Sequence, residues 1–398
     1  MMDASATLLR LDPPDHAGAA PSGPALGELP TPALVLDRTR MDANIARMRA
    51  ALAPHGVPLR PHLKTAKSAE VALQLLSTPH GPATVSTLKE AEAFASVGVT
   101  DMIYAVGISA DKLDRVVALR RRGVDVALLL DSPEQAAEVA DKARRSGESL
   151  PCWLEIDCDG HRGGLRCDDP AVVAVAGLLD RGGVPLRGVL THAGESYNGS
   201  GAPDEIAAAA EGERRAAVCA AEAIRAAGLP CPGVSVGSTP TALFGRSFEG
   251  VTEVRAGVFV FFDLVMAGLG VCRPEDIAVS VLATVVGRRS DGSMIIDAGW
   301  TALSRDLGRS ARDGAPAYGL VCDIEGRLLP GIGVTALNQE HGIVGTCVSD
   351  GTVPLRIGDR VRVLPNHACA TVSQHDRYHV LRTGSSEVEA IWPRFGGW

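Results

Sequence analysis

Residues 81–106, GPATVSTLKEAEAFASVGVTDMIYAV, contain the repeating pattern on which the fold prediction rests. The β-branched segment Ala83–Ser86 predicts a strand, and Met102–Val106 predicts a second one. Between them, Thr87–Val97 has apolar residues at helical spacing, and Ser86-Thr87 supplies a turn or cap signal at its start. A strand, a helix and a second strand in this order predict a parallel sheet with right-handed crossovers.

The same alternation continues along most of the chain. Helical spacing recurs at Arg40–Ala53, Ser132–Ser146 and Asp204–Ala227. The candidate strands are Ala33–Asp37, Pro58–Lys64, Ala83–Ser86, Met102–Val106, Asp125–Asp131, Cys152–Asp157, Leu186–His192, Val234–Gly237 and Val254–Phe262. Without the first of these, eight strands over about 200 residues predict a compact (β/α)8 TIM-like barrel in the α/β class. An open, doubly wound sheet is the competing interpretation.

After about Asp276 the pattern changes to short strands separated by Gly, Asp and Ser turns, as in AVSVLATVVGRR at 278–289. No long helix interrupts them, which predicts a C-terminal antiparallel β domain. The expected organisation is an irregular lead-in at 1–30, a barrel at 31–275 and a β domain at 276–398. The leading strand near Ala33 is a candidate member of the β domain.

Composition excludes several classes of protein. The 398 residues carry a net charge of −8 without a basic block, and aromatic residues make up 4%, which argues against nucleic-acid binding. No apolar run approaches the roughly 20 residues of a membrane span. The nine cysteines include no CxxC pair, which favours a reducing compartment. The first residues lack a secretory signal pattern, so a cytoplasmic enzyme is expected.

Lys64 closes the first predicted barrel strand, at the edge where the active sites of barrels lie. Desolvation lowers the pKa of a lysine in an apolar barrel mouth and makes its amine a nucleophile for aldehydes. Lys64 is therefore a candidate Schiff-base lysine. The alternative is an ordinary surface lysine after a strand.

A second candidate site is the segment Gly237-Ser238-Thr239-Pro240-Thr241, which follows a strand. The backbone amides of such a turn, together with hydroxyl groups, can bind a phosphate. Barrel phosphate sites lie near the last strands, and Gly257 in the next strand allows the backbone to approach the same phosphate. The alternative is a capped turn that binds no ligand.

His367 and Cys369 form a His-x-Cys pair near the C-terminus. Alternate residues of a strand share one face, so imidazole and thiolate could bind one ion, and two such ligands suit an open zinc site. A buried free cysteine beside a hydrogen-bonded histidine is the commoner explanation of such a pair.

Taken together, these features resemble the fold-type III pyridoxal phosphate enzymes, the alanine racemase-like class. Within that class they resemble the D-serine dehydratase and D-threonine aldolase family, from Thr31 onward. The matching segments, in order, are TPALVLD (31–37), RPHLKTAK (60–67), GPATVSTLKEAEAFASVGVTD (81–101), EID (155–157), GHRGG (160–164), THAGESY (191–197), VGSTPT (236–241), GVTEVRAGVFVFFD (250–263), EHG (340–342) and PNHACATVSQHD (365–376).

The resemblance implies a role for each matching residue. Lys64 is the implied Schiff-base lysine, and His62 flanks the cofactor. Arg162 faces the ring oxygen of pyridoxal 5'-phosphate, and Tyr197 lies near the ring and the substrate. The implied phosphate cup comprises Gly237, Ser238, Thr239, Gly257 and Val258. His367 and Cys369 are the implied metal ligands.

The resemblance also implies the reaction class, a lyase acting on a β-hydroxy D-amino acid. The aldolase branch typically has aspartate as the second ligand, and the dehydratase branch has cysteine and zinc. Cys369 therefore favours a D-serine dehydratase-like enzyme that forms a 2-oxo acid and ammonia, with Zn²⁺ preferred over Mn²⁺ or Mg²⁺. One departure is Ala66, where the family usually has histidine. Glu195 adds a carboxylate near the site, or is a solvated loop acid.

Three alternatives remain at this point. A D-threonine aldolase-like enzyme would use the same site for retro-aldol cleavage to glycine and an aldehyde. An amino acid racemase needs an acid–base group on the opposite face of the cofactor ring, for which Tyr318 is the nearby candidate. A non-catalytic pyridoxal phosphate carrier would resemble the barrel alone. Related enzymes assemble their sites at a dimer interface, so a homodimer is expected.

Overall fold

Two sheets make up the structure, a computed structural model that describes residues 24–160, 162–307, 317–346 and 353–398. Most of the predicted lead-in, residues 1–23, lies outside the described residues. The first sheet contains β2 to β10, and β1 belongs to the second sheet. The strands of the first sheet are β2 (Leu59–Pro61), β3 (Ala83–Val85), β4 (Asp101–Gly107), β5 (Asp125–Leu130), β6 (Cys152–Asp157), β7 (Leu165–Arg166), β8 (Leu186–Thr191), β9 (Gly233–Val236) and β10 (Glu253–Ala256).

Eight of these strands form a parallel barrel in the order β2-β10-β9-β8-β6-β5-β4-β3, with β7 paired to β6 at the side. A single parallel bridge between His62 and Thr84 connects β2 to β3, so the barrel is nearly closed. The predicted barrel is therefore confirmed. The last predicted strand is too long: β10 ends at Ala256, and Val258–Val260 form a 3-10 helix.

Helices follow most of the barrel strands. Side-chain caps start several of them; for example, Thr87 Oγ1 accepts from the Glu90 amide at 3.0 Å and Ser132 Oγ accepts from the Gln135 amide at 3.2 Å. The helices are α1 (Arg38–Leu52), α2 (Ala69–Leu75), α3 (Leu88–Ser96), α4 (Leu113–Arg121), α5 (Pro133–Ser146), α6 (Ala171–Arg181), α7 (Pro203–Ala226), α8 (Thr239–Phe244), α9 (Leu264–Gly268), α10 (Trp300–Leu303) and α11 (Ala368–Val372). In the part of the chain that the structure describes, no helix combines the length and apolarity that a bilayer crossing requires.

The second sheet has nine strands and carries the C-terminal part of the chain. Six of them close into a ring in the order β12-β15-β14-β13-β16-β11, because β11 also pairs with β12. The strands are β1 (Ala33–Asp37), β11 (Val279–Arg288), β12 (Met294–Ile296), β13 (Leu320–Cys322), β14 (Leu328–Leu337), β15 (Gly342–Thr346), β16 (Arg360–Leu364), β17 (Arg377–Leu381) and β18 (Ala390–Pro393).

The leading strand β1 extends this sheet and introduces one parallel pairing. It pairs antiparallel with β11, Ala33 opposite Leu282, and parallel with β17, Val35 opposite His379. The domain is thus antiparallel except at the pairing of β1 with β17. A strand contributed from the other end of the sequence needs no hairpin, so its direction is not fixed by a turn. The domain boundary at 275/276 stays a prediction.

The β domain lies against the barrel mouth and holds the turn that contains Lys64. The Tyr378 hydroxyl donates to the carbonyl of Ala66 at 2.6 Å, and the Phe395 amide donates to the carbonyl of Lys67 at 2.9 Å. Phe395 also packs edge-on against Phe94 of α3, with ring centroids 5.0 Å apart. Buried backbone carbonyls need partners, and here residues more than 300 positions away supply them.

Candidate active site

A cavity of about 370 Å³ lies at the C-terminal ends of the barrel strands, under the β domain. Barrel active sites lie at this end of the strands. Every site residue predicted from the sequence lines this cavity: His62, Lys64, Arg162, Tyr197, Gly237, Ser238, Thr239, Gly257, Val258, His367 and Cys369. The structure therefore brings together residues that are up to 307 positions apart, and the roles predicted for them can be compared with their contacts.

Lys64 lies in the turn after β2 rather than in the strand itself. The neighbouring ion pairs are formed by other cations: Lys67 with Glu90 at 3.1 Å, and Arg60 with Glu253 at 2.8 Å. Within the described ranges, no carboxylate pairs with the ammonium of Lys64. An unpaired amine at the mouth of a cavity is available to condense with a carbonyl compound.

His62 is held beside Lys64 as a neutral imidazole. Its backbone amide donates to the Ala256 carbonyl at 2.8 Å, and its Nδ1 faces the Lys64 amide at 3.5 Å. Burial lowers the pKa of His62 well below its usual value, and the charges of Lys64 and Arg255 lower it further. The side chain is therefore uncharged at neutral pH.

At the ends of β9 and β10, two glycines that line the cavity lie where neighbouring backbone segments leave no room for a side chain. Gly237 has a φ of +137°, and a Cβ there would lie 2.0 Å from the Arg255 carbonyl oxygen. A Cβ on Gly257 would lie 2.9 Å from the carbonyl oxygen of His62. Ser238 and Thr239 follow Gly237 and line the same part of the cavity, where their hydroxyl groups add polar atoms. A cradle of this type suits a phosphate.

The wall next to the cradle is formed by His192 and Tyr197, whose ring centroids are 6.0 Å apart. His192 Nδ1 lies 2.9 Å from the Gly237 carbonyl, which can only accept, so Nδ1 carries the proton. Burial, with the charges of Lys64 and Arg162, lowers the pKa of His192 to about 3. Burial raises the pKa of Tyr197. Both side chains are neutral at physiological pH.

Arg255 is a buried cation in the cavity floor. Its guanidinium donates to Ser235 Oγ and to the Thr191 carbonyl, both at 2.5 Å. Burial lowers the pKa of Arg255 to about 10, although the charge of Glu253 opposes the shift, so the group stays protonated near pH 7. Charged groups at such depth require partners, and Arg255 has them.

Arg162 reaches the cavity from the loop between β6 and β7. The Gly164 amide anchors this loop by donating to Asp131 Oδ2 at 3.0 Å. Burial raises the pKa of Glu155, which also lines the cavity, while the charge of Arg162 lowers it. The loop therefore adds a cation to the side of the cavity that carries Glu155.

His367 and Cys369 lie between β16 and the first turn of α11, and their side chains are hydrogen-bonded to each other. His367 Nδ1 lies 2.6 Å from Asp306 Oδ2, which leaves Nε2 for the contact with sulfur. Thr65 Oγ1 lies 3.2 Å from Cys369 Sγ. Metal-binding histidines usually have a carboxylate on the other ring nitrogen, as His367 has.

The pair His367–Cys369 is electrostatically matched. Burial would lower the pKa of His367, but the hydrogen bond to Cys369 and the charges of Cys369 and Asp263 raise it to about 10. Burial would raise the pKa of Cys369, but the hydrogen bond and charge of His367 lower it. Without a metal the pair is therefore an imidazolium facing a thiolate, and loss of the imidazolium proton would leave a nitrogen and a sulfur ligand that suit zinc. Within the described residues no third His, Cys, Asp or Glu joins them to form a larger cluster of metal-binding groups.

Several residues of the site were not predicted: Thr65, His192, Arg255, Asp263 and Asp306. Asp263 caps α9 and accepts from the Ala368 amide at 3.0 Å, which fixes the segment that carries the pair His367–Cys369. A charge within the apolar run VTEVRAGVF, at Arg255, was a usable signal in the sequence. Asp306 had none, because only the tertiary structure brings it to His367.

Three further expectations concern residues outside the cavity lining. Ala66, where the resemblance led us to expect histidine, is buried in the main core. Glu195 is exposed, and its amide donates to Asp159 Oδ2 at 2.9 Å. Tyr318 does not contribute to the described lining, and its amide donates to the Val334 carbonyl. The cavity lining therefore does not include the tyrosine that the racemase alternative requires.

Two family models match the chain. The model described as alanine racemase, N-terminal domain, matches residues 36–265, and the model described as putative serine dehydratase domain matches residues 278–381. Together they cover the barrel and most of the second sheet.

Among characterised proteins, the chain is 50% identical to the D-threo-3-hydroxyaspartate dehydratase of Delftia sp. strain HT23, over 93% of this chain and 98% of that one. It is 28% identical to the D-threonine aldolase of an Arthrobacter species, covering 94% of each chain. It is also 28% identical to the D-serine dehydratase of Dictyostelium discoideum, covering 92% and 97%.

Solved structures agree. The Delftia dehydratase superposes with a TM-score of 0.89, covering 94% of this chain and 100% of that one. Structures of that enzyme include one variant with histidine replaced by alanine, and one with cysteine replaced two positions further on, the latter in the metal-free form. These comparisons confirm the predicted fold, the predicted family and the prediction of a lyase, since the characterised relatives are dehydratases and aldolases.

Proposed function

The chain belongs to the alanine racemase-like family in which the barrel is joined to a serine dehydratase domain, and from this premise we propose that it is a D-threo-3-hydroxyaspartate dehydratase. It would eliminate water from the β-hydroxy D-amino acid, and a water molecule would then hydrolyse the dehydrated product to a 2-oxo acid and ammonia. This substrate assignment is more specific than the D-serine-like assignment that the sequence favours. The support for the narrower choice is the 50% identity to the Delftia enzyme over nearly the whole chain.

The observation that carries the proposal is that Lys64 and the pair His367–Cys369 line one cavity. Lys64 comes from the barrel and the pair comes from the β domain. Thr65, the residue after Lys64, is within 3.2 Å of Cys369 Sγ. A lysine and a metal-binding pair at this proximity can act on adjacent carbon atoms of one small substrate.

Pyridoxal 5'-phosphate is the cofactor that the family implies, and the cavity has the features it requires. Lys64 would hold it covalently, and the cradle of Gly237, Ser238, Thr239, Gly257 and Val258 would hold its phosphate. The bound cofactor supplies an electron sink for the carbanion at the α-carbon. Arg162, the neutral Tyr197 and the neutral His62 would orient its ring, the roles that the resemblance gives them.

His367 and Cys369 would hold a divalent metal, which supplies Lewis acidity to a bound oxygen. We infer zinc, because a thiolate ligand favours zinc over manganese or magnesium. A structure of the dehydratase in which a cysteine is replaced by alanine is in the metal-free form. This supports a cysteine as a metal ligand here as well.

Proton transfer falls to Lys64. When its amine is free, Lys64 would be the base that removes the α-proton, from the one face of the cavity on which it lies. Because His62 and His192 are neutral, they add no positive charge near that amine. The released hydroxyl would leave from the side of the cavity that the pair His367–Cys369 occupies.

The second candidate is aldol cleavage in the same site. If a group in the cavity removes the hydroxyl proton instead, the Cα–Cβ bond breaks and glycine and an aldehyde result. The 28% identity to the D-threonine aldolase supports this second candidate. Cys369 favours dehydration, because by resemblance the aldolase branch has aspartate there.

We also propose a cytoplasmic homodimer. The support for the compartment is that all eight cysteines in the described ranges are free. The dimer rests on the family resemblance, and light scattering coupled to gel filtration tests it.

The deciding experiment is product analysis with purified protein supplied with pyridoxal 5'-phosphate and zinc. D-threo-3-hydroxyaspartate should give oxaloacetate and ammonia, and faster than D-serine gives pyruvate. If the same substrate gives glycine and glyoxylate, the protein is an aldolase and not a dehydratase. A preference for D-serine would return the substrate to the D-serine-like amino acid that the sequence favours.

A further inference from the structure

Glu213 is a fully buried carboxylate on the inner face of α7, with 2% of its surface exposed. It does not line the cavity, and the mechanism above does not use it. Burying a carboxylate is expensive unless donors satisfy its oxygens. Its partners therefore indicate why it is there.

Three donors surround the carboxylate: two are backbone amides just after barrel strands, and the third is a hydroxyl group in α8. Oε1 accepts from the backbone amides of Ala193, after β8, and Gly237, after β9, both at 2.9 Å. Oε2 accepts from Thr241 Oγ1 at 2.8 Å. Burial raises the pKa of Glu213, and these three hydrogen bonds oppose the shift. Each partner offers a proton, so the contacts are those of an ionised carboxylate.

The hydrogen bond from Thr241 fixes the direction of a hydroxyl network behind the cradle. Because its proton points to Glu213, Thr241 Oγ1 is free to accept from the Ser238 amide at 3.0 Å. Ser196 Oγ donates to the Ala193 carbonyl at 2.7 Å, so its oxygen can accept from Ser238 Oγ at 3.0 Å. The orientation of Ser238 thus depends on groups that Glu213 holds.

We propose that Glu213 is the positioning residue for the phosphate cradle, an inference that rests on the proposed binding of pyridoxal 5'-phosphate. The peptide units around Gly237 are held from both sides, with its amide on Glu213 and its carbonyl on His192 at 2.9 Å. Gly237 immediately precedes Ser238 and Thr239. Without the carboxylate, the cradle loses the anchor that sets the direction of its first peptide.

A purely structural role, joining β8 to β9, is the competing explanation. The two strands already pair through three registered positions, ending at Leu190 and Ser235. Glu213 binds beyond that pairing, in the loops that reach the cavity. Its contacts therefore fix the positions of the loops after β8 and β9 and are not needed to pair these two strands.

The test compares the affinity of the apoprotein for pyridoxal 5'-phosphate and for pyridoxal, which lacks the phosphate. Both titrations are followed by the visible absorbance of the bound compound. Glu213→Gln should weaken pyridoxal 5'-phosphate binding by about tenfold and leave pyridoxal within about twofold, because only the phosphate meets the cradle. Thr241→Val should give a smaller change in the same sense. Glu222→Gln, at an exposed position of the same helix, is the matched control.

Equal weakening of both ligands, or no change in either, would overturn the inference. If Glu213→Gln does not fold, Thr241→Val decides by the same ratio. The wild-type titration separates the two proposals. If the wild-type apoprotein binds no pyridoxal 5'-phosphate, the proposed function is refuted. If the wild type binds it, and the variants have the same ratio of affinities for pyridoxal 5'-phosphate and pyridoxal, only the role of Glu213 is refuted.

Discussion

The carboxylate of Asp306 lies 2.6 Å from Nδ1 of His367, so the imidazole presents its other nitrogen to Cys369. Partners of this kind orient metal ligands, and their loss typically lowers metal affinity by about 10- to 100-fold. We expect Asp306→Asn to lower zinc affinity within that range. Competition with a chromophoric chelator measures it, with Asp291→Asn, in an exposed turn, as the control. Equal affinities in both variants would contradict this role.

Lys64→Ala should abolish both the visible absorbance of the bound cofactor and the release of ammonia. Without the amine, no covalent link forms and the α-proton has no base. Lys89→Ala, at an exposed position of α3, should retain both. An unchanged absorbance band in Lys64→Ala would reject the assignment of this lysine.

Cys369→Asp replaces a thiolate by a carboxylate, the ligand that the resemblance gives to the aldolase branch. We expect zinc affinity to fall by at least about tenfold and activity to respond to manganese or magnesium instead. Glycine should also increase among the products of 3-hydroxyaspartate. Elemental analysis and product chromatography provide the readouts, and Cys219→Ser, an exposed cysteine, is the control. If neither metal preference nor product changes, the argument from Cys369 to dehydration is lost.

His192 makes the stability of the protein depend on pH. Its pKa is about 3 in the folded chain against an ordinary value of 6.5, so between these values the unfolded chain binds more protons. The free energy of unfolding should therefore fall as the pH drops from 6.5 towards 3. His192→Asn, which keeps a donor for the Gly237 carbonyl, should reduce this slope by up to about 1.4 kcal/mol per pH unit.

Urea unfolding between pH 4 and 7 measures the slope of each variant. His80→Asn, at an exposed position, is the control and should leave the slope as it is in the wild type. If the free energy of unfolding depends on pH equally in His192→Asn and in the wild type, the pKa of His192 is not lowered in the folded chain.

Ala66→His restores the residue that the family usually has. Ala66 is buried with 1% of its surface exposed, and its carbonyl is bound by Tyr378. Inserting an imidazole there should lower the free energy of unfolding by about 1–3 kcal/mol, because the core must open to accept it. Chemical denaturation checks the loss, and Ala66→Ser, a smaller change, should be milder. A more active and equally stable Ala66→His would show that the site accommodates the family's histidine after all.

Local patterns were sufficient to predict the barrel and much of its site. Alternating strands and helices placed Lys64 and Gly237 at the same edge before any contact was known, because parallel strands end on one side of a sheet. The glycine and hydroxyl residues of the cradle also carry a local signal. The His-x-Cys spacing indicated the pair, but the reason given for it was wrong: His367 caps α11 and Cys369 lies in its first turn, so the two residues do not share the face of a strand.

Other features depend on tertiary structure and had no such signal. Asp306 is 61 positions from His367, and Glu213 contacts the cradle from the middle of a long helix. The alternation also made Val254–Phe262 one strand, whereas the backbone leaves the sheet after Ala256. Apolar residues continue through a buried 3-10 turn as readily as through a strand, so hydrophobicity did not mark the end.

The hydrogen bond from the Phe395 amide to the Lys67 carbonyl also bears on how the protein is made. Lys64 is synthesised early, yet the turn that carries it is completed by Tyr378 and Phe395. A ribosome must release almost the whole polypeptide before that turn has its partners. Nascent chains arrested earlier should therefore contain the barrel sequence without the two hydrogen bonds that hold the turn of Lys64.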